Sequence, residues 1–195
     1  MNGMRIGLAV AAVSLAVATV GCASKDAPIP VRTGFLSTYS NLGKTSPTSW
    51  RYRNPNNRLA RYDKFIVHPV ELAFPEGAKG WDEPAGDLQK VKDYMRQAFI
   101  DALVAGGNEV VEYPGGDVAE VRVALTDAYD SGGTIGIAIE AEMIDSVSSV
   151  QLGAVVESQI GSNLTINSFW RRNDATKIMD AWADRLQNFV DASRE

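Results

Sequence analysis

Residues 134–156 read TIGIAIEAEMIDSVSSVQLGAVV. Ile135, Ile137, Ile139, Ala141 and Met143 fall on every second position, which puts them on one face of an extended chain. After the polar turn from Asp145 to Ser148, the same spacing resumes at Val150, Leu152, Ala154 and Val156. Two alternating runs joined by a short polar turn predict an antiparallel β-hairpin.

Working outward, Val121, Val123 and Leu125 alternate with Glu120, Arg122 and Thr126, so a half-buried strand precedes the hairpin. Before it, residues 109–113 form a short strand ended by Pro114, Gly115 and Gly116. The period changes upstream. Leu88, Val91, Met95, Ala98, Phe99, Ala102 and Leu103 recur at three- and four-residue spacing, which predicts a helix capped by Asp87 and stopped by Gly106 and Gly107. Residues 65–74 are rich in β-branched and aromatic side chains and read as the first strand, with Pro69 restricting it to an edge or a bulge. Downstream of the hairpin, Ile178, Met179, Trp182, Leu186, Phe189 and Val190 form a helical stripe behind a cap at Asn173 or Asp174.

The resulting order is β-α-β-β-β-β-α. A helix joining the first two strands is a crossover, so these strands should be parallel, and the later ones an antiparallel meander. With both helices on one face of a mixed β-sheet, the fold class is α+β, a two-layer sandwich.

The N-terminus carries a different signal. Arg5 and the terminal amine precede an apolar run over residues 6–20, the pattern of a secretory signal peptide spanning 1–21. Thr19, Val20, Gly21 and Cys22 resemble a bacterial lipobox, in which the cysteine receives a diacylglycerol and becomes the new N-terminus. Residues 22–33, with Pro28 and Pro30, then read as a lipidated tether, and residues 34–195 as a single domain. The absence of Asp after Cys22 favours, by the same resemblance, an outer-membrane address facing the periplasm. The expected membrane contact is the lipid on Cys22.

The chain of 195 residues has a formal net charge of -5 and one cysteine, so it has no intramolecular disulfide, and nucleic acid is not an expected partner. Charge is unevenly distributed. Residues 30–64 hold seven basic residues against Asp63 alone, a balance of +6, whereas residues 65–195 hold 10 basic and 22 acidic residues, a balance of -12. The segment 34–64 has no sustained period and carries Phe35, Tyr39, Trp50 and Tyr52. It is expected to be an irregular wrap over the acidic domain, held by its aromatics more than by its arginines. The rival expectation is that it faces anionic lipid head groups. Trp50, Arg51, Tyr52 and Arg53 are the candidate interaction surface.

Further motifs in this region carry a resemblance. Gly34-Phe35-Leu36, Tyr39-Ser40-Asn41-Leu42, Arg51-Tyr52 with Asn54-Pro55, Tyr62-Asp63-Lys64 and Pro69-Val70-Glu71 resemble the opening signature of a bacterial lipoprotein family known only as domain of unknown function 3313. The Asp145-Ser146 turn and Trp182-Ala183 fit the same pattern, with Ser149 where a glycine is expected. The resemblance implies a location and a fold, and it brings no catalytic residues.

Nothing in the chain spells out an enzyme. His68 is the sole histidine and lacks the converging partners of a triad base or metal ligand. No catalytic residue and no cofactor is expected. The leading expectation is a non-enzymatic binding or scaffold module for an envelope component, with an envelope protein as a possible partner. One alternative is an envelope glycan hydrolase using a carboxylate pair such as Glu140 with Glu142 or Asp180 with Asp184. Another is a lipid carrier, which would show a large apolar cavity.

Overall fold

The computed structural model describes residues 30–56, 59–131, 134–162 and 173–192. Cys22, the leader and most of the tether lie outside the described residues.

The hairpin forms, but a register shift at its turn puts the two apolar runs on opposite faces: Ala154 and Val156 stand opposite Glu142 and Glu140, while Val155 stands opposite Ala141. Strands β6 (Val118–Ser131), β7 (Thr134–Asp145) and β8 (Gln151–Ser162) make an antiparallel meander. At its turn Ser149 adopts φ 58°, the left-handed region that a glycine would occupy without strain. Asp145 stabilises the same turn, its Oδ1 accepting from the Val147 and Ser148 amides at 3.0 and 2.7 Å. β6 runs beyond the predicted 126 because a bulge between Leu125 and Asp127 shifts the register and interrupts the two-residue period.

Pro69 splits the predicted first strand in two. β3 (Lys64–Val67) and β4 (Glu71–Leu72) both run parallel to β6, and the ladder skips the residue that has no amide hydrogen. β5 (Glu109–Val110) pairs parallel with β3, as the crossover through helix α1 (Ala85–Ala105) demands. Asp87 is not the cap of α1. Pro84 occupies that position without a side-chain cap bond, and Asp87 lies in the first turn, bonded to Lys90 Nζ at 2.8 Å. Gly107 ends the helix with φ +81°. Helix α2 (Asn173–Asp191) closes the order; the side chains of Asn173 and Asp174 lie outside the described residues.

The segment 34–64 is more regular than expected. β1 (Gly43–Ser46) and β2 (Ser49–Arg53) form a hairpin, and β2 pairs antiparallel with β8, so the sheet order is β1-β2-β8-β7-β6-β3-β5. Pro47 and Asn54-Pro55 mark the ends of β2 and hide it from a search for long periodic runs.

The fold is therefore a two-layer α+β sandwich with the predicted order running from β3 to α2. Phe65, Val67, Val121, Val123, Ile137, Ile139 and Met143 from the sheet pack with Val91, Met95, Phe99, Leu103, Met179 and Trp182 from the two helices in one apolar core.

Candidate functional site

Among the described residues, polar and aromatic side chains gather on each face of the sheet, and β2 contributes to both faces. Its alternation separates the four residues of the candidate surface. Trp50 and Tyr52 pack with Leu36, Ala154 and Val156 on the face without helices. Arg51 and Arg53 reach the opposite, helix-covered face. The four residues do not form one surface.

On the face without helices, residues 33–42 lie as a strap over β7 and β8. Its anchors are Glu140 and Glu142, both buried. Glu140 accepts from the Thr33 amide at 2.7 Å, the Thr33 hydroxyl at 3.1 Å and the Tyr39 hydroxyl at 2.5 Å. Tyr39 in turn accepts from the Gly34 and Leu36 amides, at 2.8 and 3.2 Å. Glu142 accepts from the Ser37 amide and hydroxyl, from Gln151 Nε2 and from Arg122 Nη1, whose guanidinium also lies 5.2 Å from the Phe35 ring centroid. Burial first, and then the bond to Glu140, push the Tyr39 phenol above its ordinary pKa. This carboxylate pair is thus committed to holding the strap. The basic segment also meets the acidic remainder directly, through Arg51 with Glu157, Arg61 with Asp145 and Lys64 with Asp117.

The helix-covered face holds a cavity of about 400 Å³ between the sheet and the helices. Its floor is Val121, Val123, Ile139, Ala141, Met143 and Val155, and its roof is Phe99, Trp182, Leu186 and Phe189. Ala141 and Val155 sit in mid-strand under the helical layer yet remain only half-buried, which is the local sign of an unfilled space. Gly153 shapes one wall: a Cβ there would come within 2.4 Å of Phe189 Cζ, so the glycine lets that ring settle against β8.

At the rim, Glu157 organises the polar groups. Its carboxylate accepts from Arg51 Nη2 at 2.7 Å, Arg185 Nη2 at 2.9 Å, Trp182 Nε1 at 3.1 Å, Gln159 Nε2 at 2.6 Å and Ser49 Oγ at 3.1 Å. Burial works to raise the Glu157 pKa, but the bonds from Gln159, Arg51 and Trp182 and the charge of Arg185 outweigh it and hold the carboxyl below its usual range. Burial lowers the Arg185 pKa, Glu157 opposes this, and the neighbouring Arg51 charge adds to the lowering. Arg53 lies over the Phe189 ring at 5.2 Å. Arg51 and Arg185 therefore flank one carboxylate at the rim, while Arg53 stands two residues beyond Arg51 along β2, opposite Gly153.

The remaining candidates lie elsewhere. His68 Nε2 contacts Glu120 Oε2 at 2.9 Å on a partly exposed strand end. Asp180 accepts from the Tyr94 hydroxyl at 2.9 Å and, like Asp184, is exposed on α2. Among the described residues no group of His, Cys, Asp or Glu is placed to hold a metal ion, and no helix is long and apolar enough to cross a membrane. Sequence reading missed both the strap clamp and the cavity. Alternating glutamates look like a solvated strand face. An unfilled space arises only when side chains from five elements are brought together.

No curated protein matches the chain. Among solved structures, it is similar to the PelC dodecamer from Paraburkholderia phytofirmans, at 16% identity and a TM-score of 0.47, over 73% of this chain and 96% of that one. It is also similar to a minor lipoprotein from Acinetobacter baumannii, at 12% identity and a TM-score of 0.43, over 68% and 95% of the two chains. Lipoprotein GNA1162 from Neisseria meningitidis is similar at 13% identity and a TM-score of 0.41, over 64% and 98%. The model of a family described as protein of unknown function (DUF3313) matches residues 32–135 and 130–186. Together these spans take in the strap, the meander and most of α2, and the chain belongs to the DUF3313 family.

Proposed function

We propose that the protein is a lipid-anchored envelope lipoprotein, held through Cys22 at the outer membrane and facing the periplasm, whose folded part is a non-enzymatic binding module. The observation that carries this reading is the apolar cavity between the sheet and the helices, the feature expected of the lipid-carrier alternative rather than of a scaffold for a protein partner. A volume of about 400 Å³ falls within the roughly 300–1,000 Å³ of small-molecule sites. An apolar interior with a few converging polar groups at one end is the usual build of such a site. The hydrolase alternative has less support. Glu140 and Glu142 are occupied by the strap, and Asp180 and Asp184 sit on an exposed helix face rather than in a cleft.

The test is photolabelling of the full chain in its native membrane with a neutral hydrocarbon probe bearing a diazirine, followed by peptide mapping. Label is expected on Phe99, Trp182 and Phe189. Label confined to exposed side chains such as Trp81 and Tyr113 would defeat the proposal.

A further inference from the structure

The cavity is apolar along its length and cationic at its mouth, and we infer that its ligand is a fatty acid, a single acyl chain ending in a carboxylate. This inference rests on the cavity being a binding site and adds the chemistry of what enters it.

A cavity of about 400 Å³ lies within the roughly 300–1,000 Å³ of small-molecule sites and has room for an acyl chain. The lining agrees, since Val123, Ala141, Val155, Phe99 and Leu186 present no charged or hydrogen-bonding side-chain group to the interior.

The head group follows from the rim. Glu157 accepts from both Arg51 and Arg185, so one carboxylate is already recognised there, and the lining as a whole carries Arg51, Arg53 and Arg185 against Glu142 and Glu157, of which Glu142 is paired with Arg122. Among the described residues, Arg51 uses Nε and Nη2 and Arg185 uses Nη2 in the bonds formed. Each guanidinium carries five N–H donors in a planar fork, so donors remain for a second planar acceptor. The side chains of Arg51 and Arg185 are 44% and 35% exposed, within reach of an entering head group. A cationic head would meet this excess of like charge, and a neutral head would leave it unbalanced. Arg51 and Arg53 stand along the β2 side of the apolar slot, opposite Val155 and Gly153, so the head group is read on that side.

The experiment compares two diazirine probes of equal chain length, a fatty acid and its neutral monoacylglycerol, on the full chain in its native membrane. The fatty acid is expected to label Phe99, Trp182 and Phe189 at least about tenfold more strongly, the scale of a charge-assisted hydrogen bond. Arg51→Gln and Arg185→Gln, made separately, should each move the ratio of the two probes toward one. Arg53→Gln, which leaves the Glu157 pairs in place, provides a second reading if either variant folds poorly. Equal labelling by both probes in the unmodified protein would overturn the fatty acid while leaving the cavity as a binding site. A lysophosphatidate that displaces the probe better than a fatty acid would also overturn it. Absence of cavity labelling by either probe would remove both readings.

Discussion

Tyr39→Phe isolates the clamp that holds the strap to the sheet. The substitution keeps the ring and removes one oxygen, which takes part in three hydrogen bonds. The bond to the buried Glu140 carboxylate contributes about 2 kcal/mol, as bonds to charged groups do, and the one from the part-buried Leu36 amide about 1 kcal/mol. The Gly34 amide is exposed and turns to water at little cost. Glu140 keeps its two bonds from Thr33. The expected loss is about 3 kcal/mol, which in a chain of this size lowers Tm by roughly 6–12 °C. The assay is thermal unfolding followed by circular dichroism, with Ser40→Ala on the exposed part of the strap as a control that should stay within about 0.5 kcal/mol. Because folding raises the Tyr39 pKa, its contribution is complete below about pH 10 and declines as pH rises above that. The variant should therefore lose part of the alkaline instability as well. A Tm within about 1 °C of the unmodified protein would refute the clamp.

Three other outcomes are expected. Burial acts to raise the Asp145 carboxyl, but bonds from Tyr62, from the Ser148 amide and hydroxyl and from the Val147 amide hold it far below the usual range. Its stabilisation is complete above about pH 4 and is lost as pH falls below that, so Asp145→Asn should flatten the acid limb of a stability-against-pH curve and leave the parts due to Glu157 and Asp117. His68→Asn breaks one partly exposed pair and should change stability by less than about 1 kcal/mol; a larger loss in chemical denaturation would show a role that the His68–Glu120 contact does not explain. Mass spectrometry of the mature protein should find an acylated Cys22 at the N-terminus, and a mature terminus elsewhere would contradict the lipid anchor.

The meander was readable because Ile135 to Met143 and Val121 to Leu125 alternate without interruption, and both helices because their stripes run for several turns. Local irregularity concealed the rest. Pro69 fused β3 and β4 into one apparent strand, the bulge at Asp127 cut β6 short, and five residues between prolines obscured β2. The expectation of a wrap over the acidic domain agrees with the strap, but the attachment is different. Neutral groups of Thr33, Ser37 and Tyr39 reach Glu140 and Glu142, while the arginines serve other carboxylates. A glutamate buried under a strap and one exposed to water have the same strand period, so sequence alone could not distinguish them. The cavity was less legible still, because Phe189 and Leu186 belong to the same apolar stripe as the fully buried Met179 and Val190. Only their place over the half-buried Ala141 and Val155 makes them a roof.

Ala141→Leu tests most directly whether that space is a binding site. The added carbons enter a part-empty volume, so packing should hold Tm constant or raise it by the equivalent of about 0.5–2 kcal/mol, the usual gain from filling a cavity. The deciding measurement is site-mapped photolabelling of this variant in its native membrane with the fatty-acid probe. If the cavity binds the ligand, label on Phe99, Trp182 and Phe189 falls severalfold while the protein stays at least as stable as before; undiminished label on those three residues would contradict the account.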